Sequence, residues 1–176
     1  MRIIAGKHRG RVLASFSGER VRPTPDRVKE SLFQILSARI VGARVLDLFC
    51  GSGALGLESL SRGAREVCFN DADRESLAIL KKNLALLKEE APLTRQDFRS
   101  CLKSVSGKFD LIFCDPPYAE EFLGEILSII KARKLLNEGG LVVYESEREE
   151  SPIEGFEAVD IRRYGRTKIF MFGEIS

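Results

Sequence analysis

The sequence has no tryptophan and only one histidine, His8, among its 176 residues. A single imidazole cannot build a His-rich ligand set. The four cysteines, at 50, 68, 101 and 114, form no CxxC pair, so no metal centre is expected. Three of the four lie in or beside apolar runs, which reads as reduced, buried thiols in a cytoplasm. No apolar run approaches the roughly 20 residues that span a bilayer, so an integral membrane protein is excluded. The opening Met1-Arg2-Ile3-Ile4-Ala5-Gly6-Lys7 lacks the apolar stretch and cleavage site of a secretory signal, and a cytoplasmic location is expected. There is no internal repeat, low-complexity tract or long linker. What remains is 44% hydrophobic and 31% charged, a balance that argues against disorder, collagen-like repeats and coiled coil. The length fits one domain.

Neither sign of charge dominates, since the net charge is +2, but the distribution is uneven. Residues 1–30 hold eight Lys/Arg against three Asp/Glu, while the remaining residues hold 20 against 23. A basic end on a mildly acidic body suits a polyanionic partner approached from one side. A solvated terminal segment is the other reading. We set residues 1–22 apart as a basic N-terminal hairpin or arm, with 23–176 as the main domain.

Within that arm, residues 2–14 read as a hairpin, with Gly6 and Gly10 bracketing Lys7-His8-Arg9. A helix is expected to open with Thr24 as N-cap and Pro25 in its first position, carrying Val28, Leu32, Ile35 and Leu36 on one face. From residue 44 strands and helices alternate. Strands are expected over 44–49, 67–70, 94–96, 109–114 and 140–145. Helices fall at about 54–62, 74–88 and 120–133. Residues 156–173 suggest a closing antiparallel hairpin turned near Tyr164-Gly165. Near-continuous apolar strands between helices imply an α/β fold whose mostly parallel sheet is covered on both faces.

In such sheets ligands bind beyond the carboxyl ends of the strands. After the first strand comes Gly51-Ser52-Gly53-Ala54-Leu55-Gly56, a G-x-G-x-x-G at the mouth of a helix. Alone it fits dinucleotide and other nucleoside folds equally. Asp71, about 20 residues further on, can accept both hydroxyls of a ribose, as it would for a nicotinamide dinucleotide. Asp97 could accept from an adenine amino group or simply cap a helix before Phe98. The fourth strand breaks the tie by ending in Asp115-Pro116-Pro117-Tyr118. Two prolines with fixed φ stiffen the loop and leave the Pro116 carbonyl available to a ligand. Asp115 adds a carboxylate acceptor and Tyr118 an aromatic face. Two acceptors beside a stacking surface suit a planar base with an exocyclic NH2, whose lone pair they free from the ring towards an electrophile. A hydride-transferring oxidoreductase would leave this tetrapeptide without a task.

Together Val45-Leu46-Asp47-Leu48-Phe49-Cys50-Gly51-Ser52-Gly53 and Asp115-Pro116-Pro117-Tyr118 resemble S-adenosylmethionine-dependent amino-methyltransferases of the Rossmann-like class I fold. These have a seven-stranded, mostly parallel sheet with a C-terminal antiparallel hairpin. Arg2-Ile3-Ile4-Ala5-Gly6, Arg9-Gly10 and Arg22-Pro23-Thr24-Pro25-Asp26-Arg27-Val28-Lys29-Glu30-Ser31-Leu32-Phe33 narrow the resemblance to the RsmD group, bacterial 16S rRNA guanine-N2 methyltransferases. D-P-P-Y alone is shared with adenine-N6 and glutamine-N5 enzymes. The resemblance implies that Thr24, Asp47, Gly51 and Gly53 lie at the methionine end of S-adenosylmethionine. Asp71 would meet its ribose, and Asp97 with Phe98 its adenine. Asp115 and Pro116 would hold the guanine amine under Tyr118. Arg2, Lys7, Arg9, Arg11 and Arg22 would meet 16S rRNA, within the small ribosomal subunit. A monomer without metal or membrane attachment is expected. Asn70 departs from the apolar residue usual in that group, which should alter packing more than ribose binding. Cys114 reads as a core thiol pointing away from Asp115, and His8 as incidental. Arg162, Arg163, Arg166 and Lys168 read as either a second RNA contact or a solvated rim.

Overall fold

Apolar side chains alternate between the two faces of each central strand, and that alternation builds two cores on one sheet. The computed structural model describes residues 1–17, 24–117 and 121–176; Arg22 and Tyr118 lie outside the described residues. The strands are β1 (Arg44–Asp47), β2 (Glu66–Asn70), β3 (Leu93–Thr94), β4 (Phe109–Cys114), β5 (Leu136–Ser146), β6 (Phe156–Tyr164) and β7 (Thr167–Glu174). The helices are α1 (Asp26–Ile35), α2 (Ser37–Ile40), α3 (Ala54–Ser61), α4 (Arg74–Leu87), α5 (Phe98–Ser104) and α6 (Leu123–Arg133). Val45, Leu111, Phe113 and Val143 face a layer formed by α1 to α4. Leu46, Ile112, Cys114 and Val142 face α5 and α6.

The sheet order is β3-β2-β1-β4-β5-β7-β6. All neighbours are parallel except β7, which runs antiparallel to both β5 and β6. This is the seven-stranded class I methyltransferase architecture expected from the sequence. Strand order reverses between β1 and β4, which is where a crevice opens at the carboxyl ends.

Several boundaries differ from the sequence reading. Thr24 does not cap α1: Pro25 occupies the N-cap position, no side chain caps the helix, and the Pro25 carbonyl accepts from Val28 and Lys29. The fixed φ of proline suits either position, so sequence could not separate them. The short helix α2 was not expected, and α5 was expected only in the reading of Asp97 as a helix cap, which the structure bears out. In α5 the apolar face is only Phe98, Cys101 and Leu102, too brief a period to read. Strand β3 ends before Gln96, and β5 begins four residues early, after a register shift between Phe109 and Leu111.

The basic hairpin is stitched into the first core. Arg2 bridges Val12, and Ile3 and Leu13 are buried with α1 and α3. Glu58 of α3, fully buried, accepts from the Ile4 and Ala5 amides at 3.0 and 3.1 Å and from Arg62 at 2.8 Å. Lys29 of α1, equally buried, lies 3.3 Å from Glu58 and donates to the Arg2 carbonyl at 2.6 Å. One carboxylate thus satisfies two backbone donors and two cations. Breaking a buried pair strands its partner, which costs roughly 3–5 kcal/mol. Glu58→Ala should therefore lower unfolding free energy in urea by about that amount. An unchanged midpoint and slope would show that the pair does not hold the hairpin.

Candidate active site

At the mouth of β1 the chain turns through Cys50-Gly51-Ser52-Gly53 into α3. Gly53 sits at φ +93°, and a Cβ there would lie 2.5 Å from Leu80. A Cβ on Gly56 would strike the Phe69 ring at 2.2 Å and approach Asp47 at 3.0 Å. Only glycine lets α3 sit this close to the sheet, which keeps the helix N-terminus near the crevice. The Gly56 amide donates to Asp47 Oδ2 at 2.9 Å, and the Gly51 amide to Asp71 Oδ2 at 2.8 Å. The two carboxylates from β1 and the end of β2 therefore anchor the loop. Asp71 Oδ1 also accepts from the Asp73 amide at 2.9 Å.

The crevice is acidic. Asp47 pairs with Phe113 in register, and Cys114 with Tyr144, so Asp115 and Glu145 follow side by side on the strand ends beyond Asp47. Burial pushes the Asp47 carboxyl up to about 7, opposed by its Gly56 bond and reinforced by Asp71. Burial likewise raises Asp71. Asp115 is held well above the ordinary carboxylate range by burial, then by Glu145 and Asp47. Carboxylates crowded in a dry crevice favour a positively charged guest.

Phe49, Phe98 and Phe122 cluster with centroids 4.7 to 6.5 Å apart, and Arg99 covers Phe98 at 4.4 Å. Phe98 is buried with the core between the sheet, α5 and α6. Asp97 caps α5, accepting from Arg99 and Ser100 amides at 3.0 and 3.2 Å. Its carboxylate is lowered by those Ser100 bonds and stays exposed. Thr24 lines an open cleft of about 350 Å3 with Met1, Arg2, Val12, Pro25 and Asp26.

Arg9 and Arg11 are exposed and have no side-chain partner among the described residues, whereas Arg2 meets Asp26 at 3.6 Å and Lys7 pairs with Glu89. His8 is not an incidental exposed residue: it is half-buried, with Nε2 2.7 Å from Glu89. At the β6–β7 turn Arg162 pairs with Asp160, and Arg163 and Lys168 share Glu149, which leaves Arg166 exposed at the tip. All four cysteines are free and buried. Cys114 faces α6, and burial pushes its thiol far up. Burial also raises Cys68 to about 12 and Cys101 to about 11. Among the described residues no group of His, Cys, Asp and Glu could hold a metal, and no helix is long and apolar enough to cross a membrane.

The sequence matches the family described as Conserved hypothetical protein 95 over residues 1–173. It is 40% identical over 150 residues to the ribosomal RNA small subunit methyltransferase D of Escherichia coli K12, covering 85% of this chain and 76% of the relative. The Haemophilus influenzae protein of the same name is 39% identical over 155 residues, covering 85% and 80%. The chain belongs to this methyltransferase D family. The solved yhhF structure from Escherichia coli superposes with a TM-score of 0.89 at 35% identity, covering 99% of this chain and 97% of that one. The fold alone is shared with the ribosomal protein L11 methylase of Lactobacillus delbrueckii, with a TM-score of 0.66 at 23% identity over 86% and 80% of the two chains.

Family membership leaves some of this site's own residues to be explained. Asn70 is buried at the end of β2, donating to the Leu48 and Gln96 carbonyls at 3.1 and 3.0 Å and accepting from Thr94 at 2.8 Å. It therefore positions the loops after β1 and β3. Glu145, which follows beside Asp115 at the strand ends, was not singled out in the sequence. Glu145 carried a signal, a carboxylate ending an apolar strand in the same way as Asp115.

The raised Asp47 carboxyl sets a pH signature. The folded protein holds that proton more tightly than the unfolded chain, whose carboxyl titrates near 3.8. Its contribution to stability is therefore full below about pH 4 and lost as pH rises through 7. Asn can still accept from the Gly56 amide but cannot ionise. Relative to wild type, Asp47→Asn should gain stability between pH 4.5 and 7.5, on the order of a few kcal/mol, then level off. Parallel urea curves across that range would contradict the assignment.

Proposed function

We propose that the protein transfers the methyl group of S-adenosylmethionine to the exocyclic N2 amine of a guanine in 16S rRNA. The observation that carries this reading is that Asp115-Pro116, at the end of β4, stands beside the Asp47-anchored glycine loop at the switch point. The residues suit this cofactor. Gly53 and Gly56 let α3 pack tightly on Leu80 and Phe69, which keeps its N-terminus near the crevice, and the partly desolvated carboxylates match a ligand carrying ammonium and sulfonium charge. Asp47 and the loop would hold its methionine end, with Thr24 close by. Asp71 would take the ribose hydroxyls. Asp97 and Phe98 would meet the adenine.

When bound, S-adenosylmethionine supplies an electrophilic methyl group on a sulfonium. The remaining steps belong to the chain. Burial, then Glu145 and Asp47, raise the Asp115 carboxyl well above the ordinary carboxylate range. Positive charge entering the crevice acts in the opposite direction and favours the Asp115 carboxylate that accepts. Its carboxylate and the Pro116 carbonyl then each take one hydrogen of the guanine amine. Tyr118 would stack on the ring. With both hydrogens held, the nitrogen lone pair leaves conjugation and attacks in line. Methylation of the amine releases one proton, which Asp115 or water would receive. Such positioning can supply roughly 7–11 kcal/mol at best. Arg2, Lys7, Arg9, Arg11 and Arg22 would meet backbone phosphates, Arg9 and Arg11 with heads free to do so.

Tritium transfer from labelled cofactor to small ribosomal subunits, followed by nucleoside analysis, tests the whole. Label in N2-methylguanosine is expected; label in N6-methyladenosine or in protein would redirect the assignment. Asp115→Ala should cost about 2–4 kcal/mol in turnover while cofactor binding stays within a few-fold of wild type. Calorimetry showing lost cofactor affinity would overturn the role of Asp115. Asp71→Ala should do the reverse, weakening cofactor binding by roughly 1.5–3 kcal/mol. Unaltered binding would reduce Asp71 to an anchor of the glycine loop.

A further inference from the structure

Asn83 occupies a place in α4 that the helical period assigns to the core, between Leu80 and Leu84, and it is completely buried. A buried amide must find partners. None of those it finds belongs to α4. Its Oδ1 accepts from the Ala14 amide at 2.7 Å, and its Nδ2 donates to the Ala14 carbonyl at 3.0 Å. The same Nδ2 donates to the Ser52 carbonyl, also at 3.0 Å. One side chain thus grips both backbone groups at the end of the basic hairpin together with a carbonyl inside the glycine loop.

Two further contacts run between the same partners. Ser52 Oγ lies 3.5 Å from Met1 Sδ on the opposite strand of the hairpin. A side chain on Gly51 would meet the Phe16 ring at 4.0 Å. The other hairpin attachments go elsewhere. Glu58 holds residues 4 and 5, Ser61 holds the Lys7 and His8 amides, and Glu89 holds the Lys7 and His8 side chains. So the hairpin would stay docked without Asn83, but its end would lose the hydrogen-bonded link to the loop.

We propose that Asn83 is a positioning residue that couples the hairpin to the glycine loop, so that RNA on the hairpin and cofactor on the loop strengthen each other's binding. The inference rests on the proposed function for the identity of the two ligands. Fixing the hairpin end fixes Ala14, and Asn83 passes that order to Ser52. The relation works in both directions, because a coupling free energy between two sites is reciprocal. Ordering the loop once for both ligands lowers the entropic cost for whichever binds second.

Hydrogen exchange on the full-length wild type with S-adenosylhomocysteine alone is the first test. The Ala14 amide, which donates to Asn83, should exchange at least 5-fold more slowly when the cofactor site is saturated. The second test is calorimetry of S-adenosylhomocysteine with and without deproteinised 16S rRNA. In wild type the RNA should tighten binding on the order of 5- to 10-fold. Asn83→Asp keeps the acceptor for the Ala14 amide but places oxygen against both the Ala14 and the Ser52 carbonyls. There the ratio should fall to one, and KM for the cofactor should rise more than kcat falls. A purely structural Asn83 would lower stability and leave the ratio intact, and that result overturns the proposal. If Asn83→Asp does not fold, wild-type exchange decides, and an unaltered Ala14 rate at saturation overturns the coupling alone. A wild type that does not bind S-adenosylhomocysteine overturns the methyltransferase reading beneath it.

Discussion

Parallel strands in register end together, and the adjacency of β1, β4 and β5 governs everything at the top of this sheet. Asp47, Asp115 and Glu145 each follow an apolar stretch that must be buried on both faces. Their carboxylates are consequently delivered into one crevice whether or not they repel. The Asp47 carboxyl is buried there because α3 lies against β1 and β2 through glycine and not through longer side chains. Desolvation and mutual repulsion then push the same way, which leaves a site poised for positive charge. The chemistry of the crevice follows from the register of the sheet.

The hairpin is governed by a different constraint, the need of buried backbone groups for partners. A two-stranded ribbon of this size is marginal on its own. It holds because side chains of α1, α3 and α4 complete its hydrogen bonds: Lys29 on the Arg2 carbonyl, Glu58 on the Ile4 and Ala5 amides, and Asn83 on Ala14. The cations on its outer surface therefore stand on a rigid mount. Rigid display favours recognition of one arrangement of phosphates, since little side-chain and loop ordering remains to be done on binding.

The period-2 and period-3.6 patterns made the α/β architecture legible, because each core position is announced by its neighbours in sequence. Gly51, Gly53, Asp71 and Asp115 were singled out for another reason. In this fold the residue after a strand is where ligands sit, so position alone marks them. Residues whose partners lie far away in the chain gave no such signal. Nothing near Glu58 or Lys29 in the sequence announces burial, yet both are fully buried under a segment more than 20 residues distant. Asn83 did interrupt a leucine pattern, which in hindsight marks a polar contact in the core. The separation of residues 1–22 as an arm followed charge, whereas packing joins Ile3 and Leu13 to the helices beneath. Charge composition reports what a surface can meet and says little about how it is attached.

The four reduced thiols divide between the layers, Cys50 in one and Cys68, Cys101 and Cys114 in the other. Burial raises all four, so at neutral pH almost none is present as the reactive thiolate. In the closed protein an alkylating reagent finds neither access nor a nucleophile. Labelling of Cys114 must wait until the layer between β4 and α6 parts, and its rate then counts openings of that layer. Each face of the sheet therefore carries a built-in clock for its own local unfolding.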